Sequence, residues 1–297
     1  MATVYLGTSE FAAIVLRRLA DSAHRPALVV TRPDRPKGRG RKLTAPPVAT
    51  AARALGLELL QPESVNSPEA RAEIGARHPS AVCVCAFGAL IKEPLLSEQS
   101  MLNLHPSLLP RWRGAAPVER AIMAGDTETG VSIMRLTAGL DSGPVCLQER
   151  IEIAPDDTYG TLAPRLAELG GELLVRALSE SPEFVEQPED GVTYAEKIAA
   201  EDRLLDTSRP AVELERVVRA LTPHIGARVA LQDGATLGVG AARALTWDTS
   251  TVGTWSPADG RLVLRCGEGA LELLEVQPAG GRMMSAADYL RGHRSTA

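Results

Sequence analysis

Aromatic residues make up only 3% of the 297-residue chain, and no basic and aromatic residues interleave on the scale needed to stack successive bases of a single strand. Cysteine is equally scarce. Cys83, Cys85, Cys146 and Cys266 form no C-x-x-C pair, and Cys83 and Cys85 alternate inside an apolar run. That pattern reads as reduced core thiols, against a disulfide frame or a zinc site. No uninterrupted apolar run approaches the roughly 20 residues of a membrane helix, and the opening MATVYLGTSEF carries no basic leader before an apolar segment. A cytoplasmic protein with no membrane association is expected. Two catalytic signatures are also missing. Gly7 stands in LGTSE and not in G-x-G-x-x-G, which argues against a dinucleotide site, and no G-x-S-x-G elbow presents a serine nucleophile. Finally, there is no basic excess. A net charge of -5 over the whole chain argues against a general nucleic-acid binder.

What is present is an ordinary globular composition, 44% hydrophobic and 23% charged, in a length that exceeds the usual single domain. The run TVYL at residues 3 to 6 reads as a strand ending at Gly7, and Ser9 and Glu10 can cap a helix whose apolar positions Phe11, Ile14, Val15 and Leu19 fall at helical spacing. ALVV continues as a second strand, VATAARALGL and EARAEIGARH as helices, and AVCVCAF as a strand covered on both faces. Such alternation predicts an α/β domain built on a parallel sheet. MLNLH, GVSIMRL and PVCLQERIEI add strands, a long helix covers TLAPRLAELGGELLVRALSE, and SPEFVEQPEDG at 181 to 191 reads as a proline-rich, acidic surface linker. After Pro210 the pattern changes. One helix, AVELERVVRALT, precedes five short runs (RVALQ, LGVGAARAL, VGTWS, RLVLRCG, ALELLEV) broken by Gly, Asp and Pro, which predicts a small β-barrel or sandwich. A closing helix, SAADYLRGHR, has Ser285 as its N-cap. The chain divides near residue 205, into domains 1–205 and 206–297.

Three groups of residues carry chemistry. In NLHPSLLPRWRG, Asn103 and His105 stand two apart at a strand's end, so their side chains share one face and project toward the crevice where open α/β sheets bind ligands. In LTAGLDSGPV, Asp141 lies between two predicted strands on a turn rich in glycine. A hairpin turn is one reading; delivery of the carboxylate beside His105 is the other. Together the three suit acyl transfer to an amine, because a tetrahedral intermediate needs donors for its oxyanion and an acceptor for the amine proton. Asn103 and a protonated His105 can donate, and Asp141 can orient the imidazole. The third group is TRPDRPKGRGRKL, with six cations and one acid, a local charge of +5 in an acidic protein. Its prolines and glycines oppose helix and predict a mobile loop at the ligand end of the sheet, fit to grip a polyanion. His24, His78, His224 and His293 have no ligand-like companions and read as structural or exposed.

The ordered series NLHPSLLPRWRGAAPVERAIMAGDTETGVSIMRLTAGLDSGPV, with GTSEFA, PDRPKGRGRKL, VTYAEKI and LELLEVQPAGGRMMSAADYL, spans most of the chain and resembles the folate-dependent formyltransferases. The resemblance implies a Rossmann-like domain followed by a small OB-like β-barrel. It implies catalytic roles for Asn103, His105 and Asp141, and binding of 10-formyltetrahydrofolate by Ser107, Leu108, Leu109 and Pro110 and by the apolar loop of Phe87, Gly88, Leu90 and Ile91. No metal is called for. Among members of the family the nearest match is to those acting on initiator methionyl-tRNA, whose acceptor stem would meet Arg35, Lys37, Arg39, Arg41 and Lys42 of a monomeric enzyme. A formyltransferase for a small amine, such as an amino sugar nucleotide, shares the catalytic trio but has no need of the six loop cations. An RNA-binding module with an idle folate pocket is the other alternative. One departure stands out: TPHIGAR around His224 lacks the tryptophan-containing segment that many relatives carry there.

Overall fold

The computed structural model describes residues 2–37, 40–230, 236–246, 252, 255–258 and 261–292, with backbone alone for Lys37 and 255–258. The chain opens with β1 (Thr3–Gly7), α1 (Glu10–Ala20) and β2 (Pro26–Val30). Gly7 is required by close approach, since a Cβ there would lie 2.9 Å from Ala12 Cβ and 3.1 Å from the Cys85 carbonyl oxygen. Ser9 caps α1, its Oγ accepting from Ala12 N at 3.2 Å. Phe11, Val15, Leu16 and Leu19 then form the buried face of the helix.

The elements that follow are β3 (Arg35–Lys37), β4 (Lys42–Thr44), α2 (Pro47–Ala54), β5 (Leu59–Leu60), α3 (Pro68–Gly75), β6 (Ala81–Cys85), α4 (Leu95–Glu98), β7 (Met101–His105), β8 (Arg113–Gly114), α5 (Pro117–Ala124), β9 (Glu128–Arg135), β10 (Val145–Glu152) and α6 (Tyr159–Glu180). After them come β11 (Tyr194–Ala195), α7 (Ala211–Leu221), β12 (Ala227–Ala230), β13 (Thr236–Leu245), β14 (Trp255–Ala258), β15 (Arg261–Arg265), β16 (Ala270–Gln277), β17 (Met284–Ser285) and α8 (Ala286–Gly292). They gather into two compact units. The first holds the residues up to Gly114 with Thr129–Ile151 and Ala163–Tyr194; the second holds Ala115–Glu128, Glu152–Leu162 and the residues from Ala195 on.

In the first unit the sheet runs β10-β9-β7-β6-β1-β2-β5. Strands β5, β2, β1, β6 and β7 are parallel. In chain order their sequence is third, second, first, fourth, fifth, which is the doubly wound arrangement. The expected Rossmann-like sheet is therefore present. It is extended by β9, which pairs antiparallel with β7, and by β10 beyond it. Val4, Leu6, Leu28, Val30, Val82 and Val84 form the centre of its core, which explains why these strands read as continuous apolar runs.

The second unit carries a separate antiparallel sheet, β12-β13-β16-β15-β14 with β17 beside β16, as expected for the small C-terminal domain. Leu214, Val217, Val218 and Leu221 of α7 lie at helical spacing and are buried with Leu237, Val239, Leu271 and Leu273 of the sheet. Each such side chain contributes roughly 1.5–3 kcal/mol by leaving water. Glu272 is nearly buried between two exposed arginines, bonded by Arg261 Nε at 2.7 Å and Arg243 Nη2 at 2.6 Å. His224 is held on both sides: Nε2 lies 2.9 Å from Glu119 Oε1, and the ring stacks on Tyr159 at 3.6 Å. Burial and the Glu119 charge push the Tyr159 hydroxyl up to about 12. The expected Ser285 cap is present on α8, its Oγ accepting from Asp288 N at 3.1 Å.

Two expectations need correction. The cationic segment read as a mobile loop is a hairpin, β3 pairing antiparallel with β4 so that Pro36 faces Leu43. Proline excludes helix but is tolerated in an edge strand, and a two-stranded ribbon consists of edges only. The segment read as surface linker is tied to the sheet, Val185 exchanging both backbone hydrogen bonds with Val145 at 2.8 and 2.9 Å and Arg135 lying 4.4 Å over the Phe184 ring. Among the described residues no helix is long and apolar enough to cross a membrane.

Candidate active site

Strand β7 brings Asn103 and His105 to one face because side chains alternate along a strand. Its register is fixed on both sides, Asn103 facing Val84 of β6 and Met134 of β9, and His105 facing Ser132. Both side chains are withdrawn from solvent, Asn103 at 9% and His105 at 4% exposure. Between β9 and β10 the chain folds back on itself at Gly143, where a Cβ would lie 2.0 Å from the Arg135 carbonyl oxygen. In that turn Asp141 adopts φ 44, a left-handed conformation that costs a non-glycine residue on the order of 1 kcal/mol or more and must be held by its surroundings.

The turn places the Asp141 carboxylate against both strand residues. Asn103 Nδ2 donates to Oδ1 at 3.4 Å, Gly114 N donates to Oδ2 at 2.9 Å, and His105 Nδ1 stands 3.6 Å from Oδ2. His105 Nε2 is 2.8 Å from the Trp112 carbonyl oxygen. A carbonyl can only accept, so Nε2 carries a proton and is committed to Trp112. The nitrogen left for chemistry is Nδ1, on the Asp141 side, at a distance too long for a direct hydrogen bond.

Sequence reasoning missed what supports this corner. Trp112 is itself left-handed, φ 64, and its N–H donates to Thr193 Oγ1 at 2.8 Å while Arg113 N donates to the Thr193 carbonyl at 2.9 Å. The neighbouring cation, Arg111, lies 4.4 Å over the Trp112 ring. Gln187, from the expected linker, donates both amide hydrogens, to Asp141 O and to Gly143 O, each at 2.8 Å. Its Oε1 accepts from Arg113 Nε at 2.9 Å and Nη2 at 2.7 Å. No sequence signal marks these contacts, because three of the acceptors are main-chain carbonyls.

The two stretches expected to hold folate flank β7 and β6. Ser107 Oγ donates to Arg111 O at 2.6 Å, closing Leu108, Leu109 and Pro110 into a short loop. The buried Ser132 hydroxyl donates to Ser107 O at 2.6 Å and accepts from Leu109 N at 3.1 Å, and Gln148 Nε2 reaches both Ser132 Oγ and Leu109 O at 2.8 Å. A cavity of about 250 Å³ opens beside this loop, lined by Leu109, Val145, Gln148, Val185 and Gln187 among others, and does not include Asn103, His105 or Asp141. In the second stretch Phe87 is buried and its carbonyl accepts from Thr8 Oγ1 at 2.6 Å. Gly88 is left-handed, Leu90 is 70% exposed, and Ile91 is half-buried. Asn66 brackets the loop, donating to Leu90 O at 2.9 Å and accepting from Lys92 N at 2.8 Å.

Of the cations singled out, Arg41 and Lys42 are exposed on the hairpin. Arg35 is also exposed and pairs with Glu63 at 2.8 Å. Arg39 lies outside the described residues, as does the Lys37 side chain. Strand register sets the backbone of Lys37 opposite Lys42. Among the described residues no group of three or more His, Cys, Asp or Glu is spaced to hold a metal ion.

Residues 1–178 match the formyl transferase family and 197–294 its C-terminal domain. A methionyl-tRNA formyltransferase of Gluconobacter oxydans is 43% identical over 295 residues, 98% of this chain and 97% of that protein. HypX from Aquifex aeolicus in complex with tetrahydrofolic acid superposes with a TM-score of 0.64 at 16% identity, over 97% of this chain and 46% of that longer one. An N-formyltransferase from Helicobacter canadensis, in complex with folinic acid and dTDP-3-aminofucose, gives 0.65 at 14% identity, over 92% of this chain and 98% of that one. Both likenesses are of fold alone. With both domains matched and close identity along nearly its whole length to a full-length relative, the chain belongs to the formyl transferase family, in its methionyl-tRNA formyltransferase branch.

Proposed function

We infer that the protein transfers the formyl group of 10-formyltetrahydrofolate to the α-amine of methionine esterified to tRNA, the step that prepares initiator methionyl-tRNA for translation. The single observation that carries the chemistry is the buried corner in which the Asn103 amide, the uncommitted His105 Nδ1 and the Asp141 carboxylate meet. The neutral α-amine attacks the formyl carbon. As the tetrahedral intermediate forms, Asn103 Nδ2 and a protonated His105 Nδ1 face its oxyanion, the kind of donor pair that stabilises acyl transfer. Asp141 balances the imidazolium and takes the amine proton onward through water. When the carbon–N10 bond breaks, N10 gains a proton and tetrahydrofolate leaves. Ser107, Leu108, Leu109 and Pro110, with Phe87, Gly88, Leu90 and Ile91, hold the folate.

The acceptor reading is supported by the relative of the same length and 43% identity. A sugar-type acceptor has only a fold-level likeness at 14% behind it. The hairpin supports it too, because Arg35, Arg41 and Lys42 are exposed on it, in a stretch whose sequence adds Lys37 and Arg39 and so carries charge suited to the phosphates of an acceptor stem. In this reading the catalytic domain spans 1–205, the second domain 206–297, and the enzyme acts as a cytoplasmic monomer. Incubation with 10-formyltetrahydrofolate and either methionyl-tRNA or an amino sugar nucleotide, followed by mass spectrometry, tests it. Formylated methionyl-tRNA is expected; formylation of the sugar alone would overturn the assignment.

A further inference from the structure

We propose that Gln187 is a positioning residue for the reaction, setting the reactive geometry of Asp141 from a segment that makes no approach to the reacting atoms itself. The proposal rests on the active-site reading above and extends it to a residue 46 positions away in the chain.

The observation is the completeness of the Gln187 amide. It has two N–H donors and an oxygen with two lone pairs, and all four are used. The donors go to Asp141 O and Gly143 O, and the oxygen takes two bonds from the Arg113 guanidinium. Since carbonyls only accept and a guanidinium only donates, the amide has one possible orientation. The side chain thus ties together both parts of the turn around Asp141 and the strand that offers Gly114 N to the Asp141 carboxylate. Asp141 sits at φ 44, so its carboxylate direction follows its main chain closely, and the main chain is what Gln187 holds. The segment that carries Gln187 is anchored independently, by the Val185–Val145 pairing and by Arg135 stacked on Phe184. The clamp is therefore a fixed point, not a passenger of the turn. Released from it, the turn can relax toward an ordinary φ, which swings the carboxylate away from His105 Nδ1 and Asn103 Nδ2, while the Ser107–Pro110 loop keeps its own bonds to Ser132 and Gln148.

The experiment compares Gln187→Glu, Gln187→Met and Asp141→Asn, alone and with each Gln187 variant combined with Asp141→Asn, in single-turnover and steady-state transfer from 10-formyltetrahydrofolate to methionyl-tRNA. Gln187→Glu keeps the size and the Arg113 contact but turns two donors into acceptors facing two carbonyls. Both Gln187 variants are expected to lower kcat about 10- to 100-fold with KM for the formyl donor within about 2-fold, since misplacement near 1 Å has effects of that size. In the Asp141→Asn background either variant should cost less than about 2-fold more, because the group being positioned is already lost. If Gln187→Met does not fold, Gln187→Glu decides. Normal kcat in Gln187→Glu, or losses that multiply with Asp141→Asn, overturn the proposal while the active-site reading stands. Normal turnover by Asp141→Asn itself would instead sink that reading, and the clamp with it.

Discussion

Glu272, buried, and Asp141, half-buried, are carboxylates that the molecule handles in opposite ways. Glu272 lies mid-strand in β16 between two guanidiniums, and every bond it accepts comes from a permanent cation. First the hydrogen bonds from Arg261, then those from Arg243, hold its carboxyl at about 2. Asp141 lies on a left-handed turn and accepts from a backbone N–H and a neutral amide, with an imidazole at 3.6 Å as its only titratable neighbour among these contacts. A carboxylate saturated by arginines is fixed as an anion and serves the sheet. The other is held by neutral donors beside a histidine, with no permanent cation among these contacts. The difference is in the donors: both side chains are largely withdrawn from water, and only the groups that face them set a sheet anchor apart from the carboxylate proposed for catalysis.

The contrast can be broken or sharpened by measurement. Asp141→Asn should lower single-turnover formyl transfer by about 10²- to 10⁴-fold, the range for lost proton transfer, with little change in thermal midpoint. A small kinetic loss with a fall in stability instead would make it, like Glu272, a structural carboxylate. Asn103→Ala should lose about 100- to 1000-fold, as for removal of one oxyanion donor, in the same assay. Changing Arg41 and Lys42 to glutamine should leave chemistry on bound substrate intact and flatten the salt dependence of tRNA affinity by about 0.7–0.9 log units per lost phosphate contact. An unchanged slope removes the hairpin from tRNA binding. Glu272→Gln should leave turnover alone and lower stability by only about 1 kcal/mol, because Arg243 and Arg261 are 60% and 43% exposed and solvent screens them. Its pH signature is directional. The folded carboxyl titrates below its ordinary value of 4.5, so its contribution is present above about that pH and fades as pH falls toward 2. Acid unfolding of Glu272→Gln should lack that component.

The sequence made the strands legible wherever both faces of the sheet are covered, because β1, β6 and β7 are buried at every position and are largely apolar. Asn103 and His105 stood out as polar residues on such a strand, and Asp141 stood out among the glycines that its turn requires. The hairpin at 35–44 was hidden because cations and prolines suppress the strand signal that backbone pairing restores. Gln187, Thr193 and the Trp112 carbonyl were hidden for a different reason. They act through main-chain atoms, up to 81 residues apart in sequence, which no side-chain pattern encodes. His224 looked companionless because its side-chain partners, Glu119 and Tyr159, are remote in sequence and reach it only after folding.

One oxygen, the Ser132 hydroxyl on β9, fastens Ser107 and Leu109, and Gln148 locks that oxygen in turn. The Ser107–Pro110 loop is thus held by its own hydrogen bonds, so that if it is the wall that receives the formyl donor, as proposed above, docking there costs little ordering entropy and exchange of spent for fresh carrier requires no rebuilding of the loop.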